Sequence, residues 1–301
     1  MVEVGRYARL GEAREGALVL ASKGLGYCLK REGAEWALCV EGRDEGAARG
    51  EMEAYRAEVG LREAEGDPRG EWGASRFGSL GLVAWLLVGM AAMQAERGRE
   101  WMEAGVLVPE AVFRKGEVWR VVTALTLHGD VGHVMVNLAL GSVFGGLVVW
   151  RFGQGLGWFL VLLSGALGNG CNAWMYLGGD HRSIGSSTAV FGALGLLCGN
   201  ALGEELFRSR RRSWWRWVLP LGAGLSLLAD WGTGGGDAVR VDVFAHFWGF
   251  GVGIPLGFGV TRLGGAWRAS LGVQGICGFL AAGLVAAAWV WALAAGRVGG
   301  G

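Results

Sequence analysis

Residues 184–195 read IGSSTAVFGALG, placing two serines and a threonine at the head of a run that is free of charge from Ser183 to Gly203. Serine and threonine cap helices, because a side-chain oxygen accepts N–H groups that the first turn leaves unpaired. Capping explains the hydroxyls but not their setting. The run is as long as the ~20 residues a helix needs to cross a hydrocarbon core, where polar groups are costly and usually face the protein interior. The reading therefore turns on whether other spans carry polar groups that meet these.

The rest of the chain supplies such spans. Residues 77–95, 131–150, 152–179, 243–261 and 269–296 are also free of charge. A weaker stretch, 214–228, has Arg216 near its start and Asp230 beyond its end, and it is counted because the neighbouring spans need a connection. That makes seven spans. A hydrophobic fraction of 52%, 16 Trp and a mean hydropathy of +0.34 belong to a polytopic membrane protein rather than a soluble globule. The 58 glycines suit a bundle in which small residues let helices approach closely.

Charge is concentrated at the other end of the sequence. Residues 1–76 hold 12 Lys/Arg and 15 Asp/Glu, about half of all the charges. Residues 9–23 read as a helix, 25–31 and 35–40 as strands and 43–58 as a second helix. Residues 1–60 are thus a small α+β domain, and the polar, Gly-rich stretch 61–76 is a linker. The opening residues lack an apolar signal-peptide core, which places this head in the cytoplasm. The basic residues of the short loops agree. Arg151, then Arg208, Arg210, Arg211, Arg212 and Arg216, then Arg262 and Arg268 fall on the head's side, against only Arg182 and Arg240 opposite. The N-terminus is read as inside and the C-terminus as outside, in a multi-pass protein of the cell (inner) membrane. The net charge of +1 and the absence of a basic patch give no reason to expect a nucleic-acid partner, and the five scattered cysteines have no metal-ligand spacing.

Within the body, His133 and Asn137 lie in the second span, Ser187 in the fourth and His246 in the sixth. These spans all enter from the same side, and each polar residue lies near its own span's beginning, so all four share one depth. Ser187 offers a hydroxyl and His246 a base, the minimum for nucleophilic acyl transfer. His133 and Asn137, at i and i+4, share a helix face and can donate to an oxyanion beside the Ser187 amide. Gly249, Gly253 and Gly257 repeat every four residues after His246, while Gly185, Gly192 and Gly195 surround Ser187. Such small faces let the two helices touch.

These segments resemble those of the rhomboid intramembrane serine proteases. GSSTAVFGALG is similar to their G-x-S-G-x-x-F/Y segment, AHFWGFGVG to A-H-x-x-G-x-x-x-G, and EVWRVVTALTLHGDVGHVMVNLALG to W-R…T…H…H-x-x-x-N. The resemblance covers residues 77–262 and implies an all-α polytopic membrane protein: a rhomboid-like six-helix bundle, here with one C-terminal transmembrane helix added in residues 263–301. The head resembles the small ferredoxin-like domain that precedes some bacterial cores. By resemblance Ser187 is the nucleophile and His246 the general base of a dyad, with His133, Asn137 and the Ser187 amide at the oxyanion. Trp119 and Arg120 belong to the first loop, and His128 is structural. No metal or organic cofactor is implied. The implied partners are the lipid bilayer and membrane-protein substrates with unstable transmembrane helices, and a homodimer is compatible with the sequence.

One departure stands out. Thr188 occupies the position after the nucleophile where the family usually has glycine, so a branched side chain there is expected either to crowd the oxyanion site or to offer it a hydroxyl. Ser186 is a rival nucleophile by position, although the spacing to Phe191 and Gly195 favours Ser187. Asp242, four residues before His246, invites a triad reading but is expected at the watery rim. His181 is expected to be structural or solvated. Two other function classes compete: a rhomboid-like client-binding protein without catalysis, which typically lacks the serine or histidine, and a solute transporter, which would carry internal repeats.

Overall fold

The computed structural model describes residues 1–64, 78–207, 242–263 and 270–298, which fall in two compact units, 1–71 and 72–301. In the first unit, β1 (Val2–Tyr7), α1 (Leu10–Ser22), β2 (Tyr27–Glu32), β3 (Glu35–Val40) and α2 (Glu45–Ala64) follow one another. The sheet has the order β1-β3-β2 with both pairings antiparallel. Gly33 (φ 66°) makes the two-residue turn between β2 and β3 possible. Val4, Leu20, Leu38, Val40 and Met52 form a core between the helices and the sheet. The arrangement is βαββα, one strand short of the ferredoxin-like unit.

The strand β1 corrects the sequence reading, which began at the first helix. Its six residues, VEVGRY, carry little alternation and a glycine, so the local signal is weak. Its stability comes from pairing with β3, whose residues lie far along the sequence, Val2 against Val40 and Tyr7 against Trp36.

The second unit is helical: α3 (Gly78–Gly105), α4 (Pro109–Arg114), α5 (Arg120–Thr123), a 3₁₀ turn (Ala124–Thr126), α6 (Val131–Phe152), α7 (Gln154–Met175), α8 (Ser187–Phe207), α9 (Val243–Thr261) and α10 (Leu271–Val298). Among the described residues six helices are long and apolar enough to cross a membrane: α3, α6, α7, α8, α9 and α10. They match six of the seven expected spans, and the seventh, 214–228, lies outside the described residues. Apolar side chains on these helices, such as Val143, Phe279 and Val290, are exposed rather than packed, as lipid-facing residues are. The protein is a multi-pass membrane protein.

Breaks between elements have local causes. Gly98 (φ 50°) kinks α3 within the charged run ERGRE, just past the apolar span. Gly153 (φ 88°) turns α6 into α7. The fourth span also starts later than its apolar composition implied. Ser183–Ser186 are not helical, and Ser183 instead pairs with Leu107 as an isolated antiparallel bridge.

Helices α8 and α9 meet backbone to backbone. A Cβ on Gly249 would run into the Thr188 carbonyl, one on Gly253 into the Gly192 carbonyl, and one on Gly257 into the Leu196 carbonyl. From the other side, Gly195 faces the Phe250 carbonyl and Gly199 the Ile254 carbonyl. A side chain on this seam must push the helices apart. We expect Gly253→Val to destabilise by about 3 kcal/mol, the upper range for overpacking, and to lower the thermal midpoint in detergent by roughly 5–10 °C. Gly251→Ala, on the same helix with nothing within 4 Å of its would-be Cβ, should leave the midpoint unchanged or slightly raised.

Candidate active site

The site is built around the loop that enters α8, and the first loop of the body holds it. That loop starts where α3 ends, with carbonyls that have no partner inside the helix. Arg120 Nη1 donates to the Glu103 and Val106 carbonyls (2.8 Å each), Trp119 Nε1 to Ala104 (3.2 Å) and Thr123 Oγ1 to Gly105 (2.8 Å). The W-R-x-x-T spacing is thus a cap for the end of α3. Glu117 balances Arg120 at 2.5 Å, with both side chains mostly buried.

The capped loop then grips residues 183–186 at three points. Leu107 and Ser183 exchange backbone hydrogen bonds (3.1 and 3.2 Å), and the Gly185 N–H donates to the Ala124 carbonyl (2.9 Å). The His128 ring lies 3.2 Å from Ser186 Oγ through Nε2. The backbone of His128 is fixed in turn by Gln94, whose amide donates to the His128 carbonyl (2.6 Å) and accepts its N–H (3.0 Å). Ser186 is buried, whereas Ser187, the first residue of α8, is half-exposed. Of the two hydroxyls, only that of Ser187 is both accessible and clear of the His128 ring.

Across the glycine seam, α9 presents His246, which is 4% exposed. Its ring stacks on Phe191, with centroids 4.5 Å apart and planes at 19°. Phe191 lies one turn after Ser187 on the same helix face, so the stack holds the imidazole on the Ser187 side of α8. Among the described residues no hydrogen bond joins Ser187 to His246, and His246 Nδ1 is buried without a partner. Catalytic hydrogen bonds are often long without substrate.

Helix α6 brings the other two candidates. Asp130 caps it by accepting the His133 N–H (2.8 Å). His133 Nδ1 faces the Gly129 N–H at 3.4 Å, which leaves the proton of a neutral ring on Nε2. Nε2 lies 2.7 Å, and Ser187 Oγ 3.6 Å, from the point where a Cβ on Gly185 would stand. Gly185 (φ 121°) thus keeps a space open between the two polar atoms. Asn137 is buried and spends one amide proton on the His133 carbonyl (3.0 Å), leaving a second proton to donate.

Two expectations are corrected and a third is narrowed. Thr188 does not face the oxyanion space. It is 2% exposed, and its methyl group fills the junction of α7, α8 and α9, against Gly168 and Gly249. Asp242 is not at a solvated rim. Its carboxylate caps α9 at the Ala245 N–H (3.1 Å), accepts from Asn172 (2.6 Å) and contacts His181 Nε2 (2.8 Å). Burial alone would raise its pKa, yet the bonds from His181, Ser183 and the Ala245 amide together hold it below the usual carboxylate value. Both oxygens are engaged by these partners, and among the described residues no hydrogen bond joins them to the His246 ring, which gives a triad no support. His181, expected to be structural or solvated, is structural: it stacks on Tyr176 with centroids 3.8 Å apart.

With this geometry in place, residues 115–263 match the model of the rhomboid domain. The chain is a rhomboid-family protein. The rhomboid match contains His133, Asn137, Ser187 and His246 and leaves out the head, α3 and α10. Curated relatives from Arabidopsis thaliana include RHOMBOID-like protein 7, 32% identical over 156 residues, and RHOMBOID-like protein 5, 29% identical over 145 residues. These matches cover 51% and 48% of this chain and 46% and 44% of the relatives, so the rhomboid chain spans under half their length.

His128 is a buried titratable group outside the spans. His128 is 3% exposed, and burial, helped by the neighbouring His133, lowers its pKa to about 4. An unfolded histidine titrates near 6.5, so the unfolded chain takes up a proton first as the pH falls. The stability tied to neutral His128 is full above about pH 6.5 and is lost as the pH drops toward 4, on the order of 3 kcal/mol in all. Melting curves between pH 8 and pH 4 should show wild type losing stability relative to His128→Gln, which does not titrate. Parallel curves for the two proteins would contradict this.

Proposed function

We propose that this rhomboid-family protein is an intramembrane serine endopeptidase that cleaves transmembrane or juxtamembrane segments of other membrane proteins. The observation that carries the reading is the meeting of the Ser187 and His246 helices on a glycine seam, with the imidazole stacked one turn from an accessible serine. A substrate helix unwinds locally and presents its scissile carbonyl to Ser187 Oγ. As the C–O bond forms, the hydroxyl proton passes to His246. The oxyanion develops in the space beside Gly185, where His133 Nε2, the free Asn137 proton and the Ser187 N–H can donate, at the positive end of the α8 dipole. His246 then returns the proton to the leaving amine. A water, deprotonated by His246, releases the acyl group. Asp242 has no part in this scheme.

On this reading the N-terminal head lies in the cytoplasm and the site opens toward the opposite face of a cell membrane. The rival within the family is a non-catalytic client binder. The presence of both Ser187 and His246, with the space between Ser187 and His133 kept open by Gly185, favours the protease.

The test is labelling of the full-length protein with a fluorophosphonate probe, together with cleavage of a transmembrane reporter. Ser187→Ala and His246→Ala are expected to abolish both while the protein stays folded, and Ser186→Ala, which loses only the contact with His128, is expected to retain both at a reduced rate. Asn137→Ala should lower kcat by ~10²-fold with little change in KM, the usual loss of one oxyanion donor. A wild-type protein that takes no label would favour the client-binding reading instead.

A further inference from the structure

Helix α10 lies beyond the residues that match the rhomboid domain, yet two of its polar side chains are built into the body. Near its start, Gln274 Oε1 accepts the N–H groups of Gly155 and Leu156 (2.8 and 3.0 Å), while its Nε2 donates to the Phe152 carbonyl (2.8 Å). One side chain therefore caps the end of α6 and the start of α7. Four turns further on, Trp289 enters the first loop. Its indole N–H donates to Thr126 Oγ1 at 3.0 Å in a fully buried contact. Its ring stacks on Trp101, with centroids 4.3 Å apart. Gly105 is what admits the ring, since a Cβ there would stand 2.8 Å from Trp289 Cη2.

Thr126 is a junction rather than a filler. A hydroxyl can accept and donate at once, and this one accepts from Trp289 while donating to the Thr123 carbonyl (2.8 Å). It ends the 3₁₀ turn whose first residue, Ala124, accepts the Gly185 N–H. Two residues later comes His128, which contacts Ser186. Both of these grips act on the residues immediately before Ser187. Any shift of the turn moves Gly185 and Ser186, and with them the hydroxyl and the space that Gly185 keeps open.

We propose that Trp289 is a positioning residue for the nucleophile: the C-terminal helix, through the Trp289–Thr126 hydrogen bond, sets the turn from which the Ser187 loop hangs. The inference rests on reading Ser187 as the nucleophile. It makes α10 part of the working site although, among the described residues, no hydrogen bond or ring contact joins the helix to any of the four candidate residues.

The experiment measures the second-order rate at which a fluorophosphonate acylates Ser187 in the full-length protein, with thermal midpoints in parallel. Trp289→Phe keeps the ring on Trp101 and removes the donor, while Thr126→Val keeps the shape and removes the acceptor. Each is expected to slow acylation about 10-fold, the scale of one buried hydrogen bond, and the double variant no further than either single one. Gln274→Leu, which cuts the other fastening of α10, should lower the thermal midpoint and leave the rate within about twofold. That contrast separates positioning from general stability. Wild-type rates in Trp289→Phe and Thr126→Val, or effects that simply multiply in the double variant, would overturn the proposal. If Trp289→Phe does not fold, the rate of Thr126→Val decides alone. Persistent labelling of Ser187→Ala would instead sink the underlying assignment of the nucleophile.

Discussion

Lipid gives helices no hydrophobic reason to associate, because a neighbouring helix is no more apolar than the chains it displaces. What fixes the geometry of this protein is therefore close contact, and the contact that joins the candidate residues is the seam of Gly192, Gly195 and Gly199 on α8 against Gly249, Gly253 and Gly257 on α9. Each glycine costs about 1 kcal/mol of helix propensity relative to alanine. The gain is that carbonyls of one helix lie against the Cα atoms of the other, an arrangement with one register and little slack. Ser187 heads one of these helices and His246 lies in the first turn of the other. With the axes any further apart, Phe191 could not stack on the imidazole and the two functional groups would occupy separate walls of the bundle.

The same seam explains why Thr188 is tolerated. A branched residue at the start of α8 has to go somewhere, and Gly168 and Gly249 leave room for its methyl group at the three-helix junction. Glycine next to the nucleophile is one way to avoid crowding, and two glycines on the facing helices are another. Asp242 follows a similar logic. By capping α9 and tying it to Asn172 and His181, its carboxylate fixes the start of the His246 helix, and among the described residues it makes no hydrogen bond to the His246 ring. It belongs to the frame of the candidate site.

Around the seam, the first loop converts unpaired helix ends into structure. Carbonyls at the end of α3, the turn Ala124–Thr126 and the strand-like Ser183–Gly185 segment are bonded to one another, so few buried polar groups remain without a partner. The loop that enters α8 is short of regular structure yet held at several points for this reason. Its single accessible hydroxyl is left where three backbone and side-chain grips have engaged everything before it.

Much of this was legible in the residues. Charge-free runs locate the spans because every charge in lipid is costly, and the spacing of glycines after His246 announces a close helix face. Serine, histidine and the His133–Asn137 pair are expected at one depth from the sequence because alternate spans run in the same direction. What the sequence does not encode locally is which groups bond across long separations. Strand β1 is a strand because β3 offers it a ladder; Asp242 is mostly buried because Asn172 and His181 come from another helix and loop to meet it. The direction of the Thr188 side chain and the grip of Trp289 on Thr126, 163 residues apart, likewise follow from packing. Composition and periodicity choose helices and depths, whereas side-chain partners are chosen only when the helices have closed on one another.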